Sequence, residues 1–140
     1  MNKRVDTMRV LVGGHASLNA SSKLTAITGE LRRIVAIERS GRKDAWLIKV
    51  LHTTRALDTT LSEVIAAKGW PTATPSLGPY LSALFKNGII TAAQRDSYQK
   101  TIVYKRNKYM HEAGAMPTKL EADSILSEMH ACLVVILSRV

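Results

Sequence analysis

Along this chain of 140 residues, apolar side chains recur three and four positions apart, and no two-residue alternation is sustained beyond Met8–Val12. A period near 3.6 places such residues on one face of a helix, so helices packed on helices are the only regular architecture open to it. Leu24, Ile27, Leu31, Ile34 and Val35 predict a helix over 22–39, with Asn19, Ser21 and Ser22 available as caps and Ser40-Gly41 as the stop. Trp46, Leu47, Val50, Leu51 and Leu57 predict a second helix, over 43–56. Thr60-Leu-Ser-Glu63 reads as a capping box opening a separate short helix through Lys68, closed by Gly69 and Pro71. Two glycines and three prolines make 69–79 an irregular connection. A helix from Pro79 or Tyr80 to Lys86 follows, stopped by Asn87-Gly88. With Thr91 as its cap, 92–113 reads as one long helix without Gly or Pro. Gly114 ends it. Pro117, Thr118 and Glu121 open the last helix, whose buried face is Leu126, Met129, Leu133, Ile136 and Leu137. Residues 1–20 are the least legible: Met8–Val12 fits a short strand or a helical turn, ended by Gly13-Gly14. The expectation is a single all-α domain over 1–140, an up-and-down bundle of four to five helices.

Composition narrows the function classes. A hydrophobic share of 46% is too high for a disordered chain and enough for a core. Cys132 is the only cysteine, which rules out a disulfide framework or a cysteine cluster within one chain and fits a reducing cytoplasm. The basic start Met1-Asn2-Lys3-Arg4 leads into an apolar run broken by Arg9, too short for a signal peptide, and Ala131–Leu137 is too short to span a bilayer. A soluble, cytoplasmic protein without a membrane partner is expected. His15, His52, His111 and His130 are scattered, and none forms a Glu-x-x-His pair, so neither a metal nor another cofactor is expected. Met8-Arg-Val-Leu-Val-Gly-Gly14 lacks the spacing of a phosphate-binding loop.

Charge is segregated as well as large. The formal net charge is +9. From Lys86 to His111 six basic residues face one acid, Asp96, while from Glu112 onward four acids outnumber two bases. Arg32, Arg33, Arg39, Arg42 and Lys43 form a second basic cluster around a turn. Segregation of this kind favours a polyanionic partner, RNA or DNA, and serves solubility equally well.

Within the basic stretch lies Arg106-Asn107-Lys108-Tyr109-Met110-His111. Asn107 and His111, four apart, share a helix face, while Arg106 stands about 140° away from His111 on an ideal helix. Its long side chain, a frayed last turn or a second copy of the motif across a dimer would close that gap. These residue types suffice for cutting RNA without a metal. The 2′-hydroxyl is the nucleophile, a histidine moves its proton or protonates the leaving 5′-oxygen, a guanidinium holds the phosphate, and an amide orients either. The same residues are also ordinary on a helix surface, where a histidine in a last turn complements the helix dipole. Lys105 and Lys108 would attract RNA. Tyr98, Tyr104 and Tyr109 run along the same helix as possible stacking platforms, with a core role at least as suitable for Tyr109. Trp46 and Trp70 read as packing residues.

The motif and its setting resemble the HEPN family (higher eukaryotes and prokaryotes nucleotide-binding domains), helical bundles whose motif is Arg, a polar residue such as Asn, three to five residues and then His. Arg106, Asn107 and His111 match those positions. Leu77-Gly78-Pro79-Tyr80-Leu81 through Gly88-Ile89-Ile90 looks like the family's lead-in to the motif helix, and the likeness covers roughly residues 60–137. It implies a metal-independent endoribonuclease, a homodimer with a composite active site, leaving 2′,3′-cyclic phosphate and 5′-hydroxyl ends, and serving as a toxin or in antiviral defence. The roles implied are acid/base for His111, phosphate clamp for Arg106, orientation for Asn107, and RNA binding for Lys105, Lys108 and Tyr104. One subgroup, paired with a nucleotidyltransferase antitoxin, carries Tyr two residues after the His. Ala113 stands there in this chain. The alternative reading is a non-catalytic RNA- or nucleotide-binding module or antitoxin-like partner, and a third is a helical adaptor without nucleic acid.

Overall fold

The computed structural model describes residues 2–140, and these form a helical bundle with no strand among them. The helices are α1 (Lys3–Gly14), α2 (Leu24–Glu38), α3 (Ala45–Lys68), α4 (Leu77–Lys86), α5 (Ala92–Tyr98), α6 (Tyr104–His111) and α7 (Lys119–Leu137). A π-helical segment, Gln99–Val103, joins α5 to α6 without a break in helical backbone, so the three run as one rod. The all-α expectation holds, but the described residues form six helices rather than four to five when the α5–α6 rod is counted once: one is added and the two predicted over 43–56 and 60–68 merge into α3. The addition is α1: the Met8–Val12 run is helical rather than a strand, capped by the Asn2 side chain and burying Val5, Met8 and Val12.

The largest departure from the expectation is α3. Thr60 does not cap a new helix. It is fully buried in the middle of a 24-residue one, and its hydroxyl donates to the Ala56 carbonyl at 2.7 Å. A threonine satisfied by the carbonyl four residues back needs no chain break, and Ala56, Leu57, Leu61 and Val64 carry the apolar face through it. Glu63, the other half of the supposed box, instead accepts from Ser21 Oγ at 2.7 Å. The helix stops where the sequence places its end. Gly69 turns left-handed at φ 68°, and Trp70 N–H reaches back to the Ile65 carbonyl. Thr91–Gln94 and Thr118–Glu121 are both capping boxes, as their spacing predicts. The long helix predicted over 92–113 is interrupted by the π segment and ends at His111 rather than 113, leaving Ala113 exposed.

α3 contacts α2, α4, α6 and α7, and α1 closes against α2 and α7. The main core contains Met8, Ile27, Leu31, Leu57, Leu61, Leu81, Leu84, Met129 and Leu133. A smaller cluster of Val50, Tyr109, Ala122 and Ile125, flanked by Trp46, Leu47 and Met110, fixes the motif helix to α3 and α7. Cys132 lies in the main core at zero exposure, and burial, reinforced by Glu128, pushes its thiol far above the usual range. Since the thiolate is the reactive form, native protein should resist iodoacetamide and be labelled once on unfolding, as intact mass would show. Rapid labelling under native conditions would mean that α7 opens locally.

Candidate functional site

The motif helix is held from inside the motif. Tyr109, 6% exposed, packs into the smaller cluster and its hydroxyl donates to Glu121 Oε2. Burial and the Glu121 carboxylate push the Tyr109 hydroxyl up to about 12. Glu121 is held below the usual carboxylate range, chiefly by Tyr109 and then by the Thr118 backbone N–H. Tyr109 is thus an anchor to the start of α7 rather than a stacking platform. Tyr98 is likewise buried. Of the three tyrosines only Tyr104 is open, at 63% exposure, and it lines a shallow depression with Ser82, Arg95, Asp96 and Gln99. Trp46 packs on the smaller cluster and Trp70 on the main core, as expected.

With Tyr109 facing inward, Asn107, Lys108 and His111 are exposed, and Lys105 and Arg106 are half-buried. Arg106 Nη1 donates to Asn107 Oδ1 at 3.4 Å, the outer limit of a hydrogen bond, so these two side chains meet. Asn107 and His111 share a face one turn apart in α6. His111 has no side-chain hydrogen bond to any described residue, and the five best-formed cavities are lined by other residues than Arg106, Asn107 and His111. No carboxylate pairs with Lys105, Arg106 or Lys108 among the described residues. Within one chain the motif is therefore an open, basic surface at the end of a helix, with two of its three residues in contact.

α6 contacts α3, where the charge of Arg106 is felt by Asp58. Burial raises the Asp58 carboxyl above the usual range, and Arg106 opposes that rise in part. A raised carboxyl destabilises the fold while charged, and the penalty fades as pH falls through the folded-state value. Asp58→Asn should therefore raise Tm by a few degrees at pH 7, with the gain shrinking toward acid. A lowered Tm at pH 7 would show that the attraction to Arg106 outweighs burial.

Two polar clusters lie outside the sequence prediction. On the first, between α2 and α3, Glu30 is 6% exposed and hydrogen-bonded to two side chains, His52 through Nδ1 to Oε2 at 2.6 Å and Arg33 through Nη1 to Oε1 at 3.2 Å, while Arg55 Nη2 forms an ion pair with Oε1 at 3.4 Å. The second lines a groove of about 650 Å³ between α1, α2, α3 and α7. There Lys49, 1% exposed, pairs with Asp123 and, at 3.4 Å, with Glu38. Asn2 Nδ2 donates to Glu38 at 2.9 Å, and Lys119 bonds Asp123 at 3.0 Å. His130 Nε2, in the same groove, is buried without a partner among the described residues. Only the Glu30–Arg33 and Lys119–Asp123 pairs are local in sequence. Glu30 and His52 are 22 positions apart and Lys49 and Asp123 are 74 apart. The one available signal was the polar residue itself on an otherwise apolar helix face.

Among the described residues no group of three or more His, Cys, Asp or Glu side chains is placed to hold a metal ion, and no helix is long and apolar enough to cross a membrane. Comparisons of the chain with known protein families, with curated proteins and with solved structures found no match.

Proposed function

We propose that this chain is a metal-independent endoribonuclease of the HEPN type, working in the cytoplasm as a homodimer whose two motifs face one RNA. The observation that carries the reading is the joint placement of Arg106, Asn107 and His111. Asn107 and His111 are exposed and Arg106 half-buried at one helix end, the guanidinium already meets the amide, and Lys105 and Lys108, without a carboxylate partner among the described residues, flank them. An open motif with no pocket of its own fits a site that a second copy completes. His111 is the acid/base group, Arg106 clamps the phosphate and Asn107 orients it. The 2′-oxygen attacks phosphorus, its proton passes to a base, and the 5′-oxygen leaves with a proton, so a cyclic phosphate and a 5′-hydroxyl remain. A toxin or an antiviral effector, restrained by a partner protein, would use this chemistry.

The test is RNA cleavage by purified protein in excess EDTA, with product ends mapped. Cleavage leaving 2′,3′-cyclic phosphate ends supports the reading. Binding without cleavage supports the second reading, a non-catalytic RNA- or nucleotide-binding or antitoxin-like module. One observation favours that alternative: His111 has no side-chain hydrogen bond among the described residues to hold its ring, whereas a general base is normally oriented by a third group.

A further inference from the structure

The Glu30 cluster carries more than an ion pair. One buried carboxylate is shared by two arginines that stay 62% and 56% exposed and by a histidine that is mostly covered. With Glu30 charged, the sum over Glu30, Arg33 and Arg55 is one positive charge, so neutralising Glu30 requires only one of the guanidiniums. Each guanidinium has five N–H donors, and Arg33 spends a single hydrogen bond on Glu30. On the other carboxylate oxygen, His52 is tied through Nδ1 with its side chain 15% exposed, and its Nε2 has no hydrogen-bond partner among the described residues. A buried acceptor that holds two exposed guanidiniums on one oxygen, beside a ring nitrogen left without a partner, is suited to grip a phosphate from two sides.

The location links this cluster to the motif. Arg55 and Asp58 are three apart on α3 and so neighbours on its surface. Asp58 in turn lies within the field of Arg106 on α6, a helix that contacts α3. Exposed Arg55 and half-buried Asp58 thus lie between the Glu30 cluster and the Arg106 end of α6.

We propose that Arg33, His52 and Arg55 form a phosphate-binding station for the backbone of single-stranded RNA, seating the strand beside the Arg106 end. Glu30 acts as its positioning residue. RNA as the polymer rests on the functional reading above, but the station requires binding only and not cleavage.

The test uses full-length protein in a His111→Ala background, with EDTA present, and reads anisotropy of a short fluorescent single-stranded RNA over a salt series. Arg33→Gln/Arg55→Gln is compared with Lys3→Gln/Arg4→Gln, which removes the same charge from α1. Glutamine keeps an amide donor toward Glu30, and circular dichroism confirms the helices. Losing two phosphate contacts should lower the slope of log K against log salt by about 1.4 for a single strand. Affinity should fall roughly tenfold beyond the α1 control, a change of about 1.4 kcal/mol. Equal slopes and affinities in the two double variants would overturn the station, as would a parent protein that binds no RNA. Displacement of the RNA by inorganic phosphate at matched ionic strength would overturn the assignment to the backbone. A parent that binds through these arginines while His111-intact protein cuts nothing would sink the nuclease reading alone.

Discussion

Lys49→Ala should lower the stability of this protein by about 2–4 kcal/mol, with Tm falling on the order of 10 °C. Lys49 is the largest wholly covered polar side chain, and Glu38 and Asp123 both depend on it. Removing one partner of a buried pair strands the charge left behind, ordinarily by about 3–5 kcal/mol. Here the figure is reduced because the carboxylates are 27% and 36% exposed and Asp123 keeps Lys119. Lys49→Met retains the apolar stem and separates lost charge from lost packing. The pH profile gives a second reading. Burial pulls the Asp123 carboxyl up, but hydrogen bonds from Lys49 and Lys119 outweigh it and hold it below the usual range. That contribution is complete above the unfolded-state value and is lost as pH falls through the folded-state one. Thermal melts from neutral to acid should therefore converge for wild type and Lys49→Ala. Parallel curves would show that Lys49 acts through packing alone.

His111→Ala should reduce RNA cleavage by about 10²–10⁴-fold, the share a positioned proton carrier supplies. Arg106→Ala should cost about 10²–10³-fold through the lost clamp on phosphate charge. Both changes lie at the surface or half-buried, so melting curves should stay close to wild type, unlike those of Lys49→Ala. Asn107→Ala should cost less, since its amide orients rather than transfers. Single-turnover rates on one RNA in EDTA would measure all three. Undiminished rates in His111→Ala and Arg106→Ala would remove this motif from the chemistry, whatever the protein binds.

The helices and their ends were legible because local chemistry sets them. Thr91 with Gln94, Thr118 with Glu121, and the left-handed Gly69 each act within a few residues. Thr60 misled because the same Thr-x-x-Glu spacing occurs inside a helix, where burial of the hydroxyl against a carbonyl decides its role. The motif residues were identifiable by type and order, but their contacts were not. The turn of Tyr109 into the core depends on Val50 and Ile125, which lie far away in sequence. Glu30 with His52, and Lys49 with Asp123, were invisible for the same reason: α2, α3 and α7 bring them together only after folding.

The π segment makes helix length a steering control. Each residue added to or taken from a helix turns everything beyond it by about 100° about the axis. Gln99–Val103 already holds one wide turn between two α-helical stretches, with Ile102 and Val103 still in the core. A single-residue deletion there would tighten the rod to α pitch and swing Arg106, Asn107 and His111 around it. The bundle on one side and the motif's aim on the other are thus set by separate lengths of the same rod.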